Sequence, residues 1–197
     1  MPIIVREYDL IADWYASERV DQTGVPEALA LAKTLPPGAR VLDIGCGNGL
    51  PITKTLLAAN VQVVGIDSAP KMLARFRLNL PAAHAGRAVA QSLPFADATF
   101  DGAVAWGVMF HLPQAEQIKV IARVARVLKP NGSFLFTAGD VGDDSGDHIG
   151  VMNGVEFHYY SFTTDGYRRV LVDHGLRLVD FHKDKGENGY YLAAKSV

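Results

Sequence analysis

Between Arg40 and Thr53 the chain reads Arg-Val-Leu-Asp-Ile-Gly-Cys-Gly-Asn-Gly-Leu-Pro-Ile-Thr, an apolar run that meets glycine at every second position and then a proline. That order spells strand, tight loop, helix. Gly45, Gly47 and Gly49 allow positive φ and leave no Cβ in the way of a ligand. Pro51 suits the first turn of a helix, where its missing N–H is no loss, and Asn48 or Gly49 stands where a cap belongs. A helix N-terminus behind a glycine loop invites a bound nucleotide.

The following segments repeat the alternation. Val61–Ile66 is β-branched and nearly all apolar, as a strand buried between helix layers should be, and it stops at Asp67. Ser68-Ala69-Pro70 reads as a cap and first turn, followed by Met72, Leu73, Phe76 and Leu80 at helical spacing. Arg87–Ala90, Phe100–Trp106 and Gly132–Ala138 read as further strands. A helix over Pro113–Leu128 carries Lys119, Arg123 and Arg126 on one stripe and Ile118, Ile121, Ala122, Ala125 and Leu128 opposite. Strands separated by helices predict a parallel sheet with right-handed crossovers. Near the end, Leu176–Phe181 and Tyr190–Ala194 flank the turn Lys185-Gly-Glu-Asn and predict an antiparallel pair.

Two regions stand outside this rhythm. Residues 1–38 contain two helical patterns, with Tyr15 and Arg19 one turn apart on a face that could cover the ligand site, and they read as a helical cap. Residues 139–160 alternate glycine with aspartate and read as a long loop, a length that in a compact domain points to a substrate lid. A helix capped by Thr163 or Thr164 and ended at Gly175 follows. With 197 residues in all, the chain reads as a single domain over 1–197 that buries roughly 70% of its unfolded surface.

Composition narrows the function. The formal charge is −2 and no Lys/Arg cluster exceeds a pair, which argues against nucleic acid and for a small-molecule partner. No apolar run reaches membrane length and the first ten residues lack a signal-like core, so no membrane partner is expected and the cytoplasm is the expected compartment. Cys46, the single cysteine, cannot make an intrachain disulfide; it reads either as a small residue filling the glycine loop or as a reactive thiol. A monomer or a homodimer fits equally.

Four stretches taken together, Val-Leu-Asp-Ile-Gly-Cys-Gly-Asn-Gly at 41–49, Gly-Ile-Asp-Ser at 65–68, Leu-Pro-Phe-Ala-Asp-Ala-Thr-Phe-Asp at 93–101 and Arg-Val-Leu-Lys-Pro-Asn-Gly at 126–132, resemble the class I S-adenosylmethionine-dependent methyltransferases of small-molecule type. The resemblance implies an α/β fold, a Rossmann-like, seven-stranded, mostly parallel sheet with helices on both faces and an antiparallel C-terminal strand. It implies S-adenosyl-L-methionine as cofactor, S-adenosyl-L-homocysteine as product and no metal. A nicotinamide dinucleotide enzyme is the competitor on fold grounds, but its third loop glycine is Leu50 here. A methyltransferase-fold module that binds without turnover is a further alternative, as is methylation of RNA or protein.

By the same resemblance, Gly45, Cys46 and Gly47 approach the methionine portion of the cofactor, and Asp43 orders the loop or reaches the amino group through water. Asp67 binds the ribose hydroxyls, with Ser68 beside it and Met72 against the adenine. Gln91, Ser92 and Leu93 stand where the family makes its adenine-edge contacts, yet Val89 and Gln91 occupy positions where the family often has an acid. Trp106 falls beside the methionine end, where an aromatic face suits a sulfonium. His111 follows the fourth strand and is a candidate general base, or alternatively a cap. His148, His158, Tyr159 and Tyr160 are candidates for shaping the acceptor pocket. The nucleophile, whether oxygen, nitrogen, sulfur or carbon, is not legible.

Overall fold

The computed structural model describes residues 4–18, 22–139, 147–183 and 189–196, with backbone alone for 4–6. Helices α1 (Ile4–Glu18) and α2 (Val25–Thr34) precede strand β1 (Arg40–Ile44). After β1 come α3 (Ile52–Ala58), β2 (Gln62–Asp67), α4 (Pro70–Asn79), β3 (His84–Arg87), β4 (Phe100–Ala105) and α5 (Gln114–Val127). The chain continues through β5 (Leu128–Ala138), β6 (Asp147–Met152), β7 (Val155–Tyr160), α6 (Thr164–Asp173), β8 (Leu176–Lys183) and β9 (Gly189–Lys195).

Seven strands form one sheet in the order β3-β2-β1-β4-β5-β9-β8. Its pairs are parallel from β3 to β5, and β9 runs antiparallel to both of its neighbours. Side chains alternate across the strands, so each face collects its own core. Leu42, Phe134 and Phe136 pack with Val120, Ile121 and Val124 of α5 and with Tyr167 and Leu171 of α6. Val41, Val104 and Leu135 point the other way, against Ala28 and Leu31 of α2 and Ile52 and Leu56 of α3. Covering both faces removes water from the mostly apolar central strands, which stabilises the parallel part of the sheet.

Three expectations change. The third strand is His84–Arg87 rather than Arg87–Ala90, because its partner β2 ends at Asp67, opposite Arg87. Ala88–Gln91 therefore leaves the sheet. On α5, Ile118 is 37% exposed, and the buried face belongs to Gln117, Val120, Ile121, Val124 and Ala125. Periodicity assigned that face to apolar residues, whereas the buried amide of Gln117 serves carbonyls from other elements.

Third, residues 147–160 are not a loop. β6 and β7 pair antiparallel from Asp147↔Tyr160 to Met152↔Val155 as a separate two-stranded sheet. The turn at Asn153-Gly154 has positive φ at both residues (47° and 74°), the conformation that a two-residue hairpin requires. Carbonyls at its end are held by α5, for Gln117 Nε2 donates to Tyr160 O at 2.9 Å and Gln114 Nε2 donates to Ser161 O at 2.9 Å. The helix cap at Thr163 is as expected, its Oγ1 accepting from Gly166 N at 3.0 Å. No helix among the described residues is long and apolar enough to cross a membrane.

Candidate cofactor and acceptor site

The site grows from the turn after β1. Gly45 N and Cys46 N both donate to Ile66 O, at 2.8 and 3.0 Å, which pins the loop against the carboxyl end of β2. Gly45 has φ 69°, and a Cβ there would stand 2.2 Å from Val108 Cγ2. Gly47 has φ 54°, and a Cβ there would meet only Gly45 O at 4.0 Å, an ordinary contact, so there the backbone conformation rather than crowding favours glycine.

Asp67 links that loop to the next helix. Its Oδ2 accepts from Gly47 N at 2.9 Å and its Oδ1 from Ala69 N at 2.8 Å, beside the start of α4. Burial pushes its carboxyl above the usual range, while the backbone N–H groups of Ala69, Gly47 and Ser68 pull it back. A cleft opens at this carboxylate, which forms part of its lining.

The walls come from five parts of the chain. Gly45 and Gly47 form the floor with Asp67 and Ser68. Ile66 and Met72 add an apolar patch, and Ala88–Gln91, freed from the sheet, supplies the facing edge. Trp106, Gly107 and Val108 follow β4, whose carboxyl end lies beside that of β1. This is the crevice above the strand ends where open α/β sheets collect ligands. Tyr8 and Tyr15 of α1, with His111 and Leu112, complete the lining. Met72 also packs against Tyr8, Ala12 and Tyr15, so the helical cap rests on the site.

Several expected residues stand elsewhere. Asp43 is buried with Thr53 Oγ1 donating to its Oδ2, and it is not part of the cleft wall. Burial, added to the charge of Asp67 and opposed by the Thr53 hydroxyl, pushes its carboxyl up to about 6. The thiol of Cys46 lies against Gly65 among Leu73 and Phe76, outside the wall, and burial pushes it far up. It fills space behind the loop. Leu93 is buried in the main core and Ser92 is exposed; neither lines the cleft, whereas Gln91 does. Arg19 lies outside the described residues.

His148, His158, Tyr159 and Tyr160 all sit on the hairpin and outside the wall. Alternation divides them. Tyr159 lies 4.9 Å from the His111 ring and stacks on His148 at 4.9 Å. His158 and Tyr160 stack on each other on the opposite face, so His158 reaches His111 only through its carbonyl.

Residues missed from sequence include Tyr8, Ile66, Val108 and Leu112 in the wall, and Phe157 behind it. Tyr8 was legible, being two helical turns before Tyr15 on the same face. Its hydroxyl lies 2.9 Å from His111 Nε2, and its ring meets those of His111 and Phe157 edge-on at 5.4 and 5.2 Å. Nothing in the sequence pairs position 8 with 111 or 157, because α1, the turn after β4 and the hairpin meet only in the fold.

A family profile described as a methyltransferase domain matches residues 41–132, the span from the glycine strand to the turn before the β5 core. Over that span the chain resembles the S-adenosylmethionine-dependent methyltransferase domains. An uncharacterised methyltransferase of Synechocystis is 37% identical over 100 residues, covering 51% of this chain and 47% of that protein. The 27-O-demethylrifamycin SV methyltransferase of Amycolatopsis mediterranei is 36% identical over 116 residues, covering 56% of this chain and 42% of its own. The match thus spans less than half the length of either relative. The fold is also that of the Burkholderia thailandensis 1,6-didemethyltoxoflavin-N1-methyltransferase, solved with 1,6-didemethyltoxoflavin and S-adenosylhomocysteine, at TM-score 0.75, 21% identity and coverage of 98% and 88% of the two chains.

S-adenosylmethionine, the cofactor that the methyltransferase resemblance implies, fits the residues present. A carboxylate with both oxygens anchored by backbone N–H groups offers its remaining lone pairs to ribose hydroxyls. Ile66 and Met72 give an apolar surface for a purine, and at Gly47 the loop leaves room beside its backbone.

Proposed function

We propose that this domain transfers the methyl group of S-adenosylmethionine to a small-molecule acceptor that meets it at the His111 end of the cleft. The observation that carries the reading is one cleft whose lining joins the Asp67 carboxylate and glycine loop to half-buried Tyr8 and buried His111. The named activities of the Amycolatopsis relative and of the Burkholderia structural neighbour, both on small molecules, support the acceptor class.

In this reading Asp67 binds the ribose hydroxyls, Gly45 and Gly47 face the methionine portion, and Met72 packs on the adenine. Gln91 meets the adenine edge with an amide rather than a carboxylate, and Ser68 stands beside the ribose. Tyr15 and Trp106 place aromatic faces toward the cationic end. The sulfonium of the bound cofactor supplies a methyl that is already electrophilic. What remains for the protein is alignment, exclusion of water and removal of an acceptor proton. The β6–β7 hairpin, carrying Phe157 and Tyr159 against His111, is the lid on the acceptor side.

The first test is thermal denaturation with S-adenosylmethionine, S-adenosylhomocysteine, NAD and NADP in parallel. At ~100 times its dissociation constant a ligand adds about 2.7 kcal/mol, a shift of roughly 5–10 °C in a chain of this size. Stabilisation by the adenosyl ligands alone is expected, followed by methyl transfer to members of a small-molecule panel. Stabilisation by a dinucleotide instead overturns the reading.

A further inference from the structure

We propose that the cleft reads the purine of its cofactor through Gln91, a neutral group that donates as well as accepts, and therefore takes a 6-oxo purine about as well as a 6-amino one. The inference deepens the methyltransferase reading above, on which it rests, and names a second class of cofactor and product for the same site: the inosyl sulfonium and the inosyl thioether.

The argument starts from the order of the strands. At their carboxyl ends the parallel strands lie in the order β3-β2-β1-β4, about 4.8 Å apart, and each leads into one stretch of the cleft lining. Ala88–Gln91 follows β3, Asp67 ends β2, the glycine loop follows β1 and Trp106 follows β4. A nucleoside whose ribose meets Asp67 and whose amino-acid tail runs toward the glycine loop has its base on the other side, at the segment after β3. The main chain fixes that spacing, because Asp67 O accepts from Ala88 N at 3.1 Å. One residue thus offers the carboxylate and anchors the start of the base edge.

The edge itself is neutral. Ala88, Val89, Ala90 and Gln91 are all half-buried and uncharged, and Gln91 is the one side chain of the four that can hydrogen-bond. Ser92 N donates to Val89 O at 3.0 Å, closing a turn with Ala90 and Gln91 at its centre. Gln91 lines the cleft, and its amide pairs with no described residue. The ionised side chain next to the segment is a cation, Arg87, whose Nε donates to Ser68 O at 3.2 Å.

Adenine presents a donor at N6 and an acceptor at N1, whereas hypoxanthine presents the reverse, an acceptor at O6 and a donor at N1. A carboxylate only accepts, so it pairs with the first base and repels the carbonyl of the second. A primary amide carries an acceptor oxygen and donor hydrogens, and half a turn about its terminal bond exchanges them. No described residue holds the Gln91 amide in either orientation, so it can meet each base with two hydrogen bonds. A site rejects an analogue by orders of magnitude when its own polar groups are left unpaired, and this edge leaves none so with either base.

The test is calorimetric titration of the wild-type protein with S-adenosylhomocysteine and S-inosylhomocysteine, beside the variant Gln91→Glu, whose folding is checked by thermal unfolding. The inosyl thioether should bind the wild type within about tenfold of the adenosyl one, and in Gln91→Glu that ratio should grow at least tenfold. A wild-type preference for the adenosyl ligand beyond tenfold, or a ratio that Gln91→Glu leaves unchanged, overturns the inference. Absence of S-adenosylhomocysteine binding to the wild type would instead overturn the cofactor reading beneath it. Should Gln91→Glu fail to fold, Gln91→Met keeps the length and removes both hydrogen-bonding groups. It should weaken both ligands by a similar factor of about threefold or more; loss of one ligand alone, or of neither, overturns the role of Gln91.

Discussion

Tyr167 of α6 donates its hydroxyl hydrogen to Gln117 Oε1 of α5 at 2.7 Å, and Gln117 Nε2 passes the connection on to the carbonyls of Leu112 and Tyr160 at 2.8 and 2.9 Å. Both side chains are fully buried, and burial pushes the Tyr167 phenol well above its ordinary range. One amide therefore joins the turn that bears His111 to the end of the hairpin that covers it. Gln117→Leu keeps the volume but strands a buried hydroxyl and two carbonyls, at roughly 1–3 kcal/mol each before relaxation. The expected loss is about 2–4 kcal/mol in urea denaturation, against about 1 kcal/mol for Tyr167→Phe. A Gln117→Leu midpoint equal to wild type would show that the network contributes nothing to stability.

Asp43 sets a pH dependence of the opposite sign to that of a salt-bridged carboxylate. Its ordinary value of 3.8 rises to about 6 in the fold. Between those values the folded state holds a proton that the unfolded chain has lost, so stability falls as pH rises through this window and is flat above it. The ionised group costs ~3 kcal/mol relative to the protonated one. Asp43→Asn should make the slope between about pH 4 and 6 shallower, leaving the contribution of Asp67, which burial also raises, measured as unfolding free energy in a pH series. A slope unchanged by the substitution would assign it to another group.

Asp67→Ala removes the acceptor of both Gly47 N and Ala69 N together with the carboxylate proposed to bind the ribose. Binding of S-adenosylhomocysteine should weaken at least tenfold by calorimetry, while Cys46→Ala, whose side chain packs behind the loop, should bind within about threefold of wild type. If the two variants bind alike, Asp67 is a loop anchor and no ribose ligand.

Gly45→Ala places a methyl 2.2 Å from Val108 Cγ2 on a backbone at φ 69°. Strain and overpacking together should cost about 2–4 kcal/mol. Val108 also lines the cleft, so ligand affinity should fall as well. The double variant with Val108→Ala relieves the clash but not the φ strain, and should recover about half of the stability loss in thermal unfolding. Full recovery would mean that the positive φ costs nothing here.

The parts of this protein that its sequence determined are those whose physics is local. Glycine spacing forced the turn after β1, apolar runs of strand length marked β1, β2 and β4, and Thr163 announced its helix, because φ preference, side-chain period and capping act over a few residues. Asp67 was legible because its place at a strand end relative to the glycines is a property of the βαβ unit itself. The third strand was misplaced because its end depends on where β2 stops, and the hairpin at 147–160 was hidden by glycines and charges that mask a weak two-stranded pattern. Gln117 entered a core face that periodicity reserves for apolar side chains, since its partners are carbonyls 5 and 43 residues away. The pairing of Tyr8 with His111 spans 103 residues and rests on three separately formed elements meeting over one cleft, so no local preference encodes it and only the packed chain decides it.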